Sequence, residues 1–430
     1  MKTPPAQSPR TPATGWTPAW GLQVPGAVPH PDDRVGFVLE LGRSLHASGY
    51  DAQRLEEAME LASETLDLRG QFFSTPTSIM ASFGPQDDQH TFLIRTEPGE
   101  ANLGRLAQVD EVTREVIAGR KSPSQGLAKL SAIETAPPPY GTVTTLIAFG
   151  LSSGSAARFL GGGLNEVVAG CALGVLIGVL AHFAGRDEGL GRILAPVAAF
   201  VASVIAAVIA VAGFPISVFL ATLAGVIVLI PGLILTTALL ELSTQHLASG
   251  TARFMGALVT LLGVAFGIAI GNELASIVIG RVVSSPVRPL PDWTLAVSLI
   301  VSPLTFMILL KAQMRDAGWI ILTGLVTFAG ARLGSQALGA ELGTFVGAFA
   351  TGFVSNWYAR ITNRPAQIAQ VPALLLLVPG SVGLRSMTSL VDQNVVVGVE
   401  TAFNMVLIAV SLVSGILIAN VVSPRRKLVS

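Results

Sequence analysis

Two Pro-Gly pairs, Pro231-Gly232 and Pro379-Gly380, fall inside long apolar runs rather than at their ends. Proline removes a backbone donor and glycine loosens the chain, so each pair should break or kink the helix that carries it. Inside a bilayer such a break is tolerated only where protein or a water-lined cavity satisfies the released backbone groups. The exposed N-terminal end of a half-helix favours a carboxylate, and freed carbonyls favour a cation or an ammonium. Two breaks at matched positions therefore suit an amino-acid zwitterion; a structural kink without ligand is the plain alternative, and the pairing argues against it. Thr236, Thr237 and Ser381 follow the breaks, and Asn356 and Asn404 lie in adjoining apolar runs, so hydroxyls and amides are at hand for a hydroxylated side chain. Serine and threonine in membrane helices more often bond their own backbone or join helices. Glu400 stands well inside an apolar run, where a charged group costs about 2.5–3.5 kcal/mol, and is either a proton carrier or a neutral hydrogen-bonded side chain. Glu166, Glu241, Glu273 and Glu341 lie nearer the ends of such runs, where a solvated interfacial carboxylate is the ordinary expectation.

Other chemistries find little support. Gly161-Gly162-Gly163 lacks the preceding strand and the following Gly-Lys-Ser/Thr of a phosphate-cradling loop, so close helix packing is the better reading. The histidines, His30, His46, His90, His182 and His246, show neither metal-ligand spacing nor a nucleophile and acid to work with, and the lone Cys171 excludes an intramolecular disulfide or thiolate cluster. No enzyme activity, metal or cofactor is expected. A net charge of zero gives no basic footprint for nucleic acid.

The elements that must position these residues are set by hydropathy. Hydrophobic residues make up 51% of the chain and charged residues 13%, with the apolar ones concentrated after Tyr140, a distribution foreign to soluble domains. Residues 1–31 are rich in Pro, Thr, Ala and Gly and read as a disordered tail, not a signal peptide. Residues 32–136 read as a small α+β domain. A helix capped at Asp32 or Asp33 ends near Ser48-Gly49, and an amphipathic helix follows with Arg54, Glu56, Glu57 and Glu60 on its polar face. Two extended runs, 71–83 and 90–96, join across Gly84-Pro85 as a hairpin, and helices at 103–118 and 124–133 complete the domain. Beyond Pro137-Pro138-Pro139, apolar stretches of the length that crosses a hydrocarbon core fall near 141–161, 164–184, 193–213, 215–240, 253–279, 293–311, 317–338, 342–359, 367–390 and 394–422.

VLIPG at Val228–Gly232 returns as LLVPG at Leu376–Gly380, an offset of 148 residues that also relates Gly267 to Gly415 and Asn272 to Asn420. The expected fold is an all-α polytopic membrane protein of about ten spans, with a small N-terminal cytoplasmic α+β domain. Residues 140–283 and 291–424 would form two five-helix repeats, and an odd number of spans in each makes the second enter the membrane upside down, as in secondary transporters. The Lys and Arg of the short loops, ten on one side against five on the other, place both termini in the cytoplasm.

Four segments resemble the ThrE-type threonine/serine exporters. They are LGRSLHASGYDAQRLEEAMELASETLDL with FSTPTSIMASF in the soluble domain, VLIPGLILTTALLELSTQHLASGTARF around the first break, and LLVPGSVGLRS around the second. The resemblance covers nearly everything from Arg34 onward and implies export of threonine and serine across a bacterial inner membrane, driven by the proton motive force. It assigns Pro231, Gly232, Gly250, Arg253, Pro379 and Gly380 to a shared pattern. Where the family favours aspartate about ten residues after the first Pro-Gly, this chain has Glu241, a candidate for proton coupling beside Glu400. The expected partners are the amino acid, protons and lipid, with room for a homo-oligomer. The residues alone leave open another amino acid, a small peptide or an organic acid as solute, or a membrane-anchored enzyme or sensor domain.

Overall fold

The computed structural model describes residues 32–97, 99–280, 285–377 and 380–424; the expected tail at 1–31 lies outside them, as does Pro379. The N-terminal domain consists of α1 (Asp33–Ala47), α2 (Ala52–Thr65), β1 (Gly70–Thr75), β2 (Ser78–Phe83), β3 (His90–Arg95), α3 (Leu103–Ile117) and α4 (Pro123–Thr135). Each helix begins at a side chain that accepts from an otherwise orphaned amide. Asp32 serves α1, Asp51 α2 and Asn102 α3, while Ser122 with Gln125 closes a capping box on α4. The run expected as one strand at 71–83 is itself a hairpin. Thr75 pairs with Ser78 around Pro76-Thr77, because a proline cannot donate to the ladder, and the sheet has three antiparallel strands in the order β1-β2-β3. The domain's core of Phe37, Leu41, Leu45, Leu55, Met59 and Ile79 runs without interruption into Met307, Ile320, Tyr358 and Ile368 of the apolar half, so the domain is docked rather than tethered.

The apolar half holds α5 (Thr142–Phe159), α6 (Leu164–Ala184), α7 (Glu188–Val211), α8 (Val218–Val226), α9 (Gly232–Ser243) and α10 (Leu247–Ile279). There follow α11 (Trp293–Leu309), α12 (Ala317–Leu338), α13 (Ala340–Thr362), α14 (Gln367–Leu374), α15 (Gly380–Val391) and α16 (Val395–Val422). Five of these, α6, α7, α10, α12 and α16, are long and apolar enough to cross a bilayer, and the bent pair of α8 with α9 makes a sixth. The chain is a mostly helical, multi-pass membrane protein.

The two halves use the same neighbours in the same order. Helix α7 packs on α10 as α13 packs on α16, α9 on α10 as α15 on α16, and α6 on α8 as α12 on α14, while α10 reaches α15 and α16 reaches α9. The matched glycines do matched work. A Cβ on Gly267 would sit 2.3 Å from the Pro196 carbonyl oxygen on α7, and one on Gly415 would sit 2.5 Å from that of Phe345 on α13, so both helix pairs depend on backbone approach that a side chain would block. The matched asparagines also bridge the same helix pairs: Ser203 donates to Asn272 (2.7 Å), and Asn356 donates to Asn420 (3.2 Å) and to the Ser423 carbonyl (2.7 Å).

Hydrogen bonds sort the connections into two ends. At the domain end Tyr140 donates to the Ala312 carbonyl (2.5 Å), the Leu103 amide to Leu310 (2.9 Å) and Arg360 to the Pro424 carbonyl (2.8 Å). At the far end Arg158 donates to Thr294 (2.7 Å), the Ser217 amide to Glu166 (2.8 Å) and the Ser285 amide to Ile216 (3.1 Å). Helix α5 thus starts at the domain end and α11 at the far end.

Candidate functional site

The first Pro-Gly pair does what its chemistry requires. Helix α8 tightens through a 3-10 turn at Ile227–Leu229, Pro231 adopts a non-helical ψ of 45°, and α9 restarts at Gly232 with its axis turned by 57°. The released groups are partly recaptured locally. The Gly232 amide donates to Ile230 (2.7 Å) and the Pro231 carbonyl accepts from Leu235 (3.0 Å). In the second half α14 ends at Leu374, three leucines form a turn, and α15 begins at Gly380. The two interruptions meet. A Cβ built on Gly380 would lie 2.7 Å from Ile230, 3.2 Å from the Gly232 Cα and 3.4 Å from its nitrogen, so the two chains touch backbone to backbone.

Beside this contact lies a cavity of about 70 Å³, room for a few waters at roughly 10–15 Å³ each. One wall is α9, through Leu233, Thr236, Thr237 and Leu240; the opposite wall is α14, through Gln367, Gln370, Val371 and Leu374. The soluble domain forms the roof with Tyr50, Asp51, Arg54, Ala101, Leu103 and Leu106. The cavity therefore runs from the docked domain along both half-helices toward the breaks.

The expected site residues divide. Thr236 and Thr237 line the cavity, though Thr236 spends its hydroxyl proton on the Gly232 carbonyl (3.1 Å). Gly232 and Gly380 touch each other next to Leu233 of the lining but do not line the cavity themselves, while Pro379 lies outside the described residues. Ser381 and Asn404 are half-buried and do not line the cavity, and Asn356 is taken up by the α13–α16 bridge. Glu400 is exposed near the start of α16, away from the cavity lining. Glu166 and Glu241, expected at solvated ends, are instead buried at 2% and 1% exposure. Loop amides and the docked domain cover those ends: Glu166 accepts from the Gly163 and Ser217 amides, at 2.9 and 2.8 Å.

Glu241 holds the domain to the bundle. Its Oε1 accepts from Arg253 Nε (3.1 Å) and from the Ala52 amide at the start of α2 (2.9 Å), and Arg253 donates onward to the Tyr50 carbonyl (3.4 Å). A carboxylate at a helix N-terminus complements the helix dipole, so α2 is both capped and anchored there. One turn along α2, Glu56 lies 3.3 Å from His246. Burial pushes the Glu56 carboxyl above the usual range, opposed by the Ser74 amide and by His246, and burial pushes the Tyr50 phenol up to about 12, so Tyr50 stays neutral. A second buried ion pair, Asp316 with Arg364, accepts a hydrogen bond from Tyr358 (2.8 Å) and fixes the loops beneath the domain. Asp51, Gln367 and Gln370 had no functional reading in the sequence, and Arg54 only that of a polar-face side chain. Asp51 and Arg54 carry an ordinary helix-cap pattern and the glutamines only a three-residue spacing, so no local signal marked any of them.

Comparison with known proteins follows the same division. Two models of the threonine/serine exporter family (ThrE) match in succession, the first over residues 36–275 and the second over 295–422. The chain is 28% identical to the uncharacterized protein C7D4.12c of Schizosaccharomyces pombe over 84% of this chain and 50% of that one. It is 27% identical to pheromone-regulated membrane protein 10 of Candida albicans over 84% of this chain and 33% of that one, and 24% identical to the Zygosaccharomyces rouxii protein of the same name over 84% and 38%. The chain thus spans half or less of the length of these relatives. No solved structure matches it. With matches covering the soluble domain and both apolar halves, the chain belongs to the ThrE threonine/serine exporter family.

Proposed function

We propose that the chain is a secondary active exporter of threonine and serine in a plasma membrane, driven by the proton motive force, with both termini in the cytoplasm. In this reading the ten helical segments are ten spans arranged as two inverted copies, and alternating access is a rocking of the copies about the breaks. The observation that carries it is the backbone contact of Gly232 with Gly380 beside a cavity whose walls offer hydroxyls and amides. The opposite starting ends of α5 and α11, and the matched helix neighbours of the two halves, support the inversion. Glu241 is the better placed of the two coupling candidates. Protonation would weaken its hold on Arg253 and on the Ala52 amide, loosening the roof of the cavity, whereas Glu400 is exposed at the far end.

Purified protein in liposomes should move labelled threonine or serine when a pH gradient is imposed, and unlabelled threonine should compete. Flux that ignores the gradient would remove proton coupling, and absence of flux for both amino acids would remove the exporter reading. Competition by an organic acid or a dipeptide, with no effect of threonine, would reassign the solute.

A further inference from the structure

The charged groups of the cavity belong to the soluble domain. Asp51 and Arg54 line it, their side chains are only 10% and 9% exposed, and Arg54 Nε lies 3.4 Å from Asp51 Oδ2. The pair is loose. Arg54 Nε is buried with no hydrogen-bond partner, while Asp51 Oδ1 accepts the Arg54 amide (3.1 Å) as the cap of α2. Two opposite charges withdrawn from water need well-directed partners, and an orphaned guanidinium nitrogen is a vacancy of that kind. Across the cavity the walls present uncharged groups, Thr236, Thr237, Gln367 and Gln370.

This distribution of chemistry matches a hydroxylated amino acid. Its carboxylate and ammonium share one carbon, so they need a cation and an anion side by side, and guanidinium is the side chain best shaped for a carboxylate. Its side-chain hydroxyl needs a neutral donor and acceptor a few ångströms away. We propose that the soluble domain is the lid of the transport site and carries its charged half, with Arg54 taking the substrate carboxylate, Asp51 the ammonium, and the half-helix walls the hydroxyl. This rests on the exporter reading and assigns it a recognition mode. The lid is held down through Glu241 and Arg253, so substrate recognition and domain docking share the first turn of α2.

Asp51→Asn separates this role from a merely structural cap, because asparagine caps a helix as well as aspartate does but carries no charge. The full-length protein in detergent would be titrated calorimetrically with L-threonine, with threoninamide, which lacks the carboxylate, and with N-acetylthreonine, which lacks the ammonium. Loss of one charge-assisted hydrogen bond should weaken binding about tenfold or more. Wild type is expected to prefer threonine over both analogues by that margin. Arg54→Gln should weaken threonine but not threoninamide, and Asp51→Asn, which keeps the helix cap and still melts cooperatively, should weaken threonine but not N-acetylthreonine. Threonine binding as tight as wild type in folded Asp51→Asn would overturn the proposal, even if Arg54→Gln fails to fold. Should wild-type protein move threonine in liposomes while the variants bind it normally, this assignment alone falls; should wild type neither bind nor move it, the exporter reading falls and takes the assignment with it.

Discussion

Replacing Glu241 by alanine is expected to release the soluble domain from the bundle. The substitution strands Arg253, whose side chain is 12% exposed, and leaves the Ala52 amide without its acceptor. Breaking a buried pair by removing one partner costs about 3–5 kcal/mol, and the partial exposure of Arg253 puts the value near the lower bound. Weakening the docking by that amount raises the undocked population, so proteolysis at the linker 137–141 should be faster than in wild type. Glu241→Gln retains an oxygen for the Ala52 amide and loses only the charge, so it should fall between wild type and alanine. Limited proteolysis beside a thermal melt in detergent checks both; an alanine variant as resistant as wild type would show that the domain is held by its apolar core alone.

The second large effect is expected at Gly380. Valine there must place a branched side chain where a bare Cβ already lies 2.7 Å from Ile230 and 3.2 Å from the Gly232 Cα. Overpacking of this kind costs about 1–3 kcal/mol. The strain falls on the contact between the two interruptions rather than on the outer helices, so transport should drop by ten- to a hundredfold while the amount of membrane-inserted protein changes little. Flux per inserted molecule in liposomes is the measurement, and normal flux would mean that the breaks need not touch.

What was legible in the sequence follows from how local each cause is. Apolar length located the helical segments, and Pro231-Gly232 disclosed a break because proline acts on its own helix. The offset that relates Gly267 to Gly415 was legible too, and both glycines turn out to face a carbonyl of the neighbouring helix. Contacts between distant segments were not legible. Glu166 and Glu241 read as solvated ends because nothing local announces that loop amides or an entire domain will cover them. Arg54 read as part of a polar face and Asp51 carried no reading at all, and only the anchoring of the first turn of α2 on Glu241 of α9 turns them into a cavity roof. Pro76 was legible in principle: a proline inside a run of extended residues argues against one continuous strand, and it divides β1 from β2.

In the proposed mechanism the amino acid sits between the two broken helices under the soluble domain. Leu233, one residue past the first break, lines that cavity, and Cys171 is the chain's sole cysteine. In a Cys171→Ala background, Leu233→Cys should be alkylated by N-ethylmaleimide, and saturating L-threonine should slow the reaction several-fold. An alkylation rate indifferent to threonine, in protein that still transports it, would place the amino acid elsewhere.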